Sequence, residues 1–329
     1  MSRVISISIR RLAVAAAVLA GITACQDESP VQPASPNTQA ATSAPNGIKI
    51  KPQFYFNGIL FTGTHDVASG ELYTMNPDGS NVTRLTFDDS SDTRADLSPN
   101  GPSFIWLRRA PGQLTGEFYT QNLDGTNRKQ LTNFGATISY PRYSPDGTKI
   151  VFAKWFSTGP EIFVMNANGG NVKQLTSLKA RASFPSWSPD GSKIAFQADN
   201  AAGDNSIWTM NADGSNQTMI LSCAYPGCVR PKWSPVANEI VAERIDIGEI
   251  FVIDATTGVQ VGYIPNPDHD MDPTWSKDGK QIVFESQRGN NGGYDLFITT
   301  PLRGGVTAPP PVVRLTSFIG NESMAAYSR

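Results

Sequence analysis

From residue 52 onward, apolar residues fall in short β-rich triplets that recur along the chain. They are Ile59-Leu-Phe61, Phe104-Ile-Trp106, Ile150-Val-Phe152, Ile194-Ala-Phe196, Ile240-Val-Ala242 and Ile282-Val-Phe284. The last five each follow a polar turn: Ser98-Pro-Asn-Gly101, Ser144-Pro-Asp-Gly147, Ser188-Pro-Asp-Gly191, Ser234-Pro-Val-Ala237 and Ser276-Lys-Asp-Gly279, spaced by 46, 44, 46 and 42 residues. A bulky residue precedes each turn: Leu97, Tyr143, Trp187, Trp233 and Trp275. Further along each unit comes a second apolar segment ending in a turn, as in Leu72-Tyr-Thr-Met-Asn-Pro-Asp-Gly79 and Ile207-Trp-Thr-Met-Asn-Ala-Asp-Gly214. A last short strand closes the unit, as in Arg84-Leu-Thr86, Gln130-Leu-Thr132, Gln174-Leu-Thr176 and Arg314-Leu-Thr316.

Each unit thus reads as four short strands, A to D, joined by tight hairpins. Pro presets φ for a type I turn, Asp suits the next position, and Gly takes the left-handed conformation that closes a bulged hairpin. One four-stranded sheet would leave an apolar face bare on each side. Six arranged radially cover those faces with their neighbours, so the pattern predicts an all-β fold, a six-bladed β-propeller of four-stranded antiparallel blades. Residues 324–328 supply a strand A without its B, C and D, and residues 58–86 supply B, C and D without an A. The ring is therefore expected to close by joining the C-terminal strand to the N-terminal blade. An open solenoid would leave two sheet edges bare.

The N-terminus carries a different pattern. Arg3, Arg10 and Arg11 precede an apolar run, Leu12-Ala-Val-Ala-Ala-Ala-Val-Leu-Ala20, too short for a comfortable membrane span. Ile22-Thr-Ala-Cys25 then resembles a bacterial lipobox, which implies a lipoprotein signal peptide at 1–24 and lipid attachment at Cys25. Gln26, rather than Asp, favours the outer membrane under the sorting rule of enteric lipoproteins. Residues 25–51, rich in Pro, Ser, Thr, Ala and Gln, read as a flexible tether, and 52–329 as the propeller.

Composition narrows the chemistry. Gly and Pro supply 29 and 24 of 329 residues, and charged residues only 17%, which suits a turn-rich chain rather than a coiled coil. The net charge is −2, and loss of residues 1–24 would leave 24 basic residues against 29 acidic ones. No basic excess exists to hold a phosphate backbone, so nucleic acid is not an expected partner.

The repeat resembles the TolB-type propeller repeat, with its Trp-Ser-Pro-Asp-Gly turn, Ile-x-Phe strand and Ile-Trp-x-Met-Asn-x-Asp-Gly hairpin. The resemblance covers about 52–329 and is clearest from Phe184 through Gly214. It implies the propeller fold and an envelope compartment. TolB itself resembles an α/β domain followed by a propeller, whereas here only the tether precedes the ring. Similar repeats accompany α/β-hydrolase domains, but the chain holds no Gly-x-Ser-x-Gly elbow. TolB-like propellers with lyase activity use clusters of His, and the chain has only His65 and His269.

Candidate function therefore sits in the loops that break the repeat. In such propellers the D-to-A and B-to-C loops share one face around the channel mouth. Phe87–Asp96, Pro265–Pro273 and Glu322 form an acidic sector there, with Asp272 in it. Opposite stand Phe134, Tyr140, Arg142, Lys179, Arg181, Phe184, Tyr225, Arg230 and Lys232, a basic and aromatic sector; Arg94, in the loop into blade 2, is a further candidate for the binding face. A dipolar face of this kind would suit a protein or peptide segment; the alternative is that these charges only solvate the rim. Asp268, Asp270 and Asp272 alternate so that they could offer oxygens to Ca²⁺, although the loop lacks the glycine and closing Glu of an EF-hand. No other cofactor is expected. Cys223 and Cys228 are the two thiols left once Cys25 is acylated, and an oxidising compartment would join them in a disulfide.

The expected protein is a monomeric, lipid-anchored bacterial envelope scaffold. The competing readings are a hydrolase or lyase acting on glycan or peptide at the channel mouth, and a sensor of a small ligand in the channel.

Overall fold

The computed structural model describes residues 57–327 apart from 65–68, 225–226, 266–268, 289–292, 305–307 and 318–320. Among the described residues all regular structure is strand, and no helix is long and apolar enough to cross a membrane. The strands form six antiparallel sheets arranged as a six-bladed β-propeller. Blade 1 contains β1 (Ile59–Gly63), β2 (Glu71–Met75) and β3 (Thr83–Arg84). Blade 2 contains β4 (Ser91–Leu97), β5 (Ser103–Arg109), β6 (Glu117–Asn122) and β7 (Lys129–Gln130). Blade 3 contains β8 (Ile138–Tyr143), β9 (Lys149–Phe156), β10 (Gly159–Asn166) and β11 (Lys173–Gln174). Blade 4 contains β12 (Ser183–Trp187), β13 (Lys193–Asp199), β14 (Asn205–Asn211) and β15 (Thr218–Leu221). Blade 5 contains β16 (Cys228–Trp233), β17 (Glu239–Arg244), β18 (Glu249–Asp254) and β19 (Gln260–Ile264). Blade 6 contains β20 (Met271–Trp275), β21 (Ile282–Ser286), β22 (Asp295–Thr299) and, after β23 (Leu302–Arg303), β24 (Val313–Arg314).

The last strand, β25 (Glu322–Tyr327), completes blade 1 as its strand A. Its register sets Tyr327 opposite Ile59, Ala326 opposite Leu60 and Glu322 opposite Gly63. The ring closes as the two half-patterns of the sequence require.

The apolar triplets are consecutive because each middle strand is buried on both faces. Side chains alternate across a strand. Ile150 and Phe152 therefore pack toward blade 2, while Val151 and Ala153 pack toward blade 4. In the same way Val283 joins the seam with blade 1, and Ile282 and Phe284 join the seam with blade 5. Hydrophobic clusters fill all six seams.

The polar parts of the repeat tie the seams and turns. Ser144 donates its hydroxyl to Asp146 and accepts the Lys149 N–H, which locks the A–B turn. Gly169 has φ of 88°, and a Cβ there would stand 2.6 Å from the Leu131 carbonyl oxygen of the preceding blade. The glycine is thus required twice, by conformation and by contact. The Arg/Gln-Leu-Thr triplet also has a purpose. Thr176 accepts the Ile162 N–H at 2.8 Å and donates to Glu161 at 2.5 Å, while Gln174 donates to the Thr176 carbonyl at 2.6 Å. Corresponding clasps join Thr132 to Glu117 and Thr316 to Asp295.

Blade 5 departs from the predicted four strands, because β23 pairs with β19 as a fifth. The C-to-D connection of blade 6 lacks the Asn-x-Asp-Gly turn and is long enough to reach the neighbouring edge. Arg303 fixes it there through two 2.7 Å contacts to Glu239.

Ring closure yields a direct expectation. Ending the chain after Asn321 removes β25 and bares blade 1 on its channel side. The thermal midpoint, followed by circular dichroism, should fall by more than about 10 °C, since several kcal/mol of burial is lost. A permutant carrying residues 322–329 ahead of residue 58, through a flexible linker, should recover it. A truncated chain as stable as the full one would contradict closure.

Candidate functional site

The channel is lined by the A strands, and each carries a β-bulge at the same place. The register shifts fall between Thr93 and Asp96, Ser139 and Arg142, Ser183 and Ser186, Val229 and Lys232, and Met271 and Thr274, and β25 is irregular where it faces Leu60 and Thr62. Within them Arg94, Tyr140, Phe184, Arg230 and Asp272 adopt left-handed backbone, with φ between 46° and 56°. For non-glycine residues this conformation costs roughly 1–2 kcal/mol each. In blades 3 to 6 the next residue is proline (Pro141, Pro185, Pro231, Pro273), which removes an N–H that the bulge would leave unpaired.

The bulge turns these five side chains toward one another at the mouth formed by the D-to-A and B-to-C loops. The Arg94 guanidinium lies 4.8 Å from the centre of the Tyr140 ring and donates to its hydroxyl at 3.5 Å. Tyr140 packs against Phe184 with ring centroids 4.0 Å apart. Arg230 covers Phe184 at 5.5 Å and pairs with Asp272 at 2.8 Å. Glu243 accepts a further hydrogen bond from Arg230, and its other oxygen accepts the Asp272 N–H at 2.7 Å. The result is a belt of half-buried contacts spanning five blades, Arg94–Tyr140–Phe184–Arg230–Asp272.

The other sequence candidates separate. Arg181 is exposed on the loop face and forms a two-point pair with Asp199 at 2.7 and 3.0 Å. Arg142 is not on the rim: it is buried, 3.6 Å from Asp96, and donates to the Ala95 carbonyl. Its position two residues past the bulge turns it down the channel rather than onto the mouth. Lys232, at the corresponding place in blade 5, also lines the channel. Asp270 pairs with Arg288 at 2.5 Å and Asp272 with Arg230, so arginines hold two of the three carboxylates that were candidates for Ca²⁺. Among the described residues no three metal-binding side chains cluster. Cys223 and Cys228 form a disulfide with Cα atoms 5.7 Å apart. Cys25, His65, Tyr225 and Asp268 lie outside the described residues.

The acidic sector is therefore not a field of free carboxylates. Asp88 and Asp92 hold Arg108, and Asp295 holds Arg314. These partners were missed in the sequence because they come from strands B, C and D rather than from the loops. Arg94 differs: among the described residues it has no carboxylate partner, and its Nε is buried without a hydrogen bond.

Burial governs the titration of several groups. It raises Asp92 to about 6 against the pull of Arg108. It raises Glu243 to about 7 against Arg230, and Glu322 to about 7 with the added repulsion of Asp295. The turn carboxylates move the other way: hydrogen bonds from Ser188 and Ser192 lower Asp190 to about 2.

Comparison with known proteins agrees with this architecture. Residues 112–245 match the family model described as the TolB beta propeller domain. TolB from Acinetobacter baumannii superposes with a TM-score of 0.66 at 17% identity, covering 83% of this chain and 66% of that one. A putative TolB from Agrobacterium tumefaciens gives 0.50 at 19% identity, with 79% and 87% covered. Oligogalacturonate lyase from Vibrio parahaemolyticus gives 0.52 at 16%, with 74% and 72% covered. No curated protein matches the chain in sequence. Residues 112–245 thus carry TolB-type propeller repeats, and the structural likenesses concern the fold of the whole ring.

The buried carboxylates set a pH dependence. A raised acid keeps its proton in the folded chain while the unfolded chain loses it. Its contribution is fully present below the ordinary value of 4.5 and is lost as pH rises through about 7. Glu322→Gln keeps the neutral form at every pH. Its melting temperature should exceed that of the wild type by a few degrees at pH 8 and match it at pH 4.5. Equal melting temperatures at pH 8 would show that Glu322 ionises without penalty.

Proposed function

We propose that the protein is a lipid-anchored scaffold of the bacterial cell envelope. Its loop face binds a protein or peptide segment at the channel mouth. The observation that carries this reading is the belt itself. It sets two contiguous aromatic rings between two guanidinium groups, at positions whose backbone strain is held by the surrounding blades. Strained, partly exposed side chains on a rigid frame favour a site over a packing role.

The chemistry of the belt describes the segment it would take. Tyr140 and Phe184 offer a flat surface to an apolar side chain. Arg94, without a carboxylate partner among the described residues, offers a charge to an acidic one. Arg230, held by Asp272 and Glu243, serves to position Phe184. Exposed apolar residues on the same face, Leu114 and Ile247, widen the surface available for contact. A TolB-like fold is consistent with such a scaffold. The lipobox at Cys25 supports the anchor, and its Gln26 the outer membrane.

A photocrosslinking residue at Leu114, on the loop face, should give a discrete adduct in intact cells. The same residue at Val236, on the opposite face, should not. Phe184→Ala in the Leu114 strain should reduce the adduct at least about tenfold, as for a binding hot spot. An adduct unaffected by Phe184→Ala, or formed equally from Val236, would contradict the reading. In the same strains, Cys25→Ser should move the protein out of the membrane fraction.

A further inference from the structure

The outer edges of the blades are not alike. In five blades strand D is the last of its sheet, so one row of its N–H and C=O groups faces outward. An open edge of this kind is a template for another strand, and natural proteins keep such edges short or charged. Four edges follow that rule: β3, β7, β11 and β24 are two residues long and carry Arg84, Lys129, Lys173 and Arg314. In blade 5 the longer β19 has no charge, and β23 covers it.

The edge of blade 4 has neither protection. β15 runs for four residues, Thr218-Met-Ile-Leu221, continuing past a register shift after Met219. Among the described residues no strand pairs with its outer side. It lies in a run of sixteen residues without a charge, 214–229. Met219 is 39% exposed. Gly258 of blade 5 lies against the Ile220 carbonyl with no room for a Cβ. Val259 follows it and is 61% exposed, so apolar surface continues beside the edge.

The register marks the centre of a pairing. In blade 3 Leu175 donates its N–H to the Ile162 carbonyl, so the residue before it, Gln174, points its own N–H and C=O outward. Met219 holds the same place, opposite Trp208 as Gln174 is opposite Phe163. Two copies set antiparallel, with Met219 facing itself, exchange a pair of hydrogen bonds there. Charge selects this occupant. Self-pairing at any of the four short edges would set arginine or lysine beside its own copy, whereas β15 brings together only Thr, Met, Ile and Leu.

We propose that β15 is the surface through which two copies of this chain associate. They pair as antiparallel strands about a two-fold axis at Met219, which joins two blades into one continuous sheet. This departs from the monomer expected from the sequence. The contact lies on the outer rim, away from the channel mouth, so it is independent of the loop-face reading and either can fail alone.

In intact cells, Met219→Cys should give a disulfide-linked dimer of the full chain on a non-reducing gel. Residues facing across such a pair stand about 5.5 Å apart, within reach of a disulfide. Val313→Cys, exposed on the edge of blade 6 beside Arg314, should not. Copies bearing different tags, made in one cell, should co-purify. Met219→Lys in both copies should reduce recovery at least about tenfold, since like charges then face each other. Its melting temperature should stay within about 2 °C of the wild type, because the position is exposed. Pairing a Met219→Lys copy with a Met219→Glu copy should restore recovery. Absence of the Met219→Cys dimer, a link to a different protein in its place, or co-purification unchanged by the paired lysines would overturn the proposal.

Discussion

Everything in this molecule depends on strands that are apolar on both faces. A blade alone would leave Ile150 and Phe152 bare on one side and Val151 on the other. Each such side chain is worth about 2 kcal/mol when buried, so one missing seam removes a large share of the stability of a whole domain. The only arrangement that covers every face is a ring, and the ring needs β25 to return beside β1.

The ring also explains where strain can be tolerated. Five non-glycine residues hold left-handed backbone because each bulge is clamped between two neighbouring blades. The same geometric position is filled by Arg94, Tyr140, Phe184, Arg230 and Asp272 in turn. The frame repeats while the side chain varies, so the belt can differ in chemistry around the mouth without altering a seam. Two residues further on, the same strands turn Asp96, Arg142 and Lys232 into the channel. One strand thus serves two ends of the molecule.

Most of the fold was legible in the sequence, because hairpin turns and apolar triplets are local signals. The closure was legible because an incomplete unit stood at each end. The fifth strand of blade 5 was not, since β23 pairs with a strand about forty residues earlier and carries no signal of its own. Of the site, the positions Arg94, Tyr140, Phe184, Arg230 and Asp272 were readable as the starts of blades. Their partners were not. Glu243 and Asp199 lie next to last and last in their B strands, and the bulged pairing with strand A of the same blade brings them to Arg230 and Arg181. Arg142 was assigned to the rim by its place in the sequence, and the bulge sends it the other way. The tryptophans that precede the A–B turns obey the repeat and read as packing; Trp187 and Trp275 donate to the Arg142 and Lys232 carbonyls, and among the described residues the Trp233 indole N–H has no acceptor.

The central claim is that blade 1, built from the two ends of the propeller, is as much part of the cooperative ring as the others. Native-state hydrogen exchange measures this directly. The account predicts that the amides of Leu60 and Phe61 exchange with the same free energy as those of Val151 and Phe152 in blade 3, at the level of global unfolding. Exchange at Leu60 and Phe61 several kcal/mol easier than at Val151 and Phe152 would mean that blade 1 opens alone, and that the ring does not hold its two ends together.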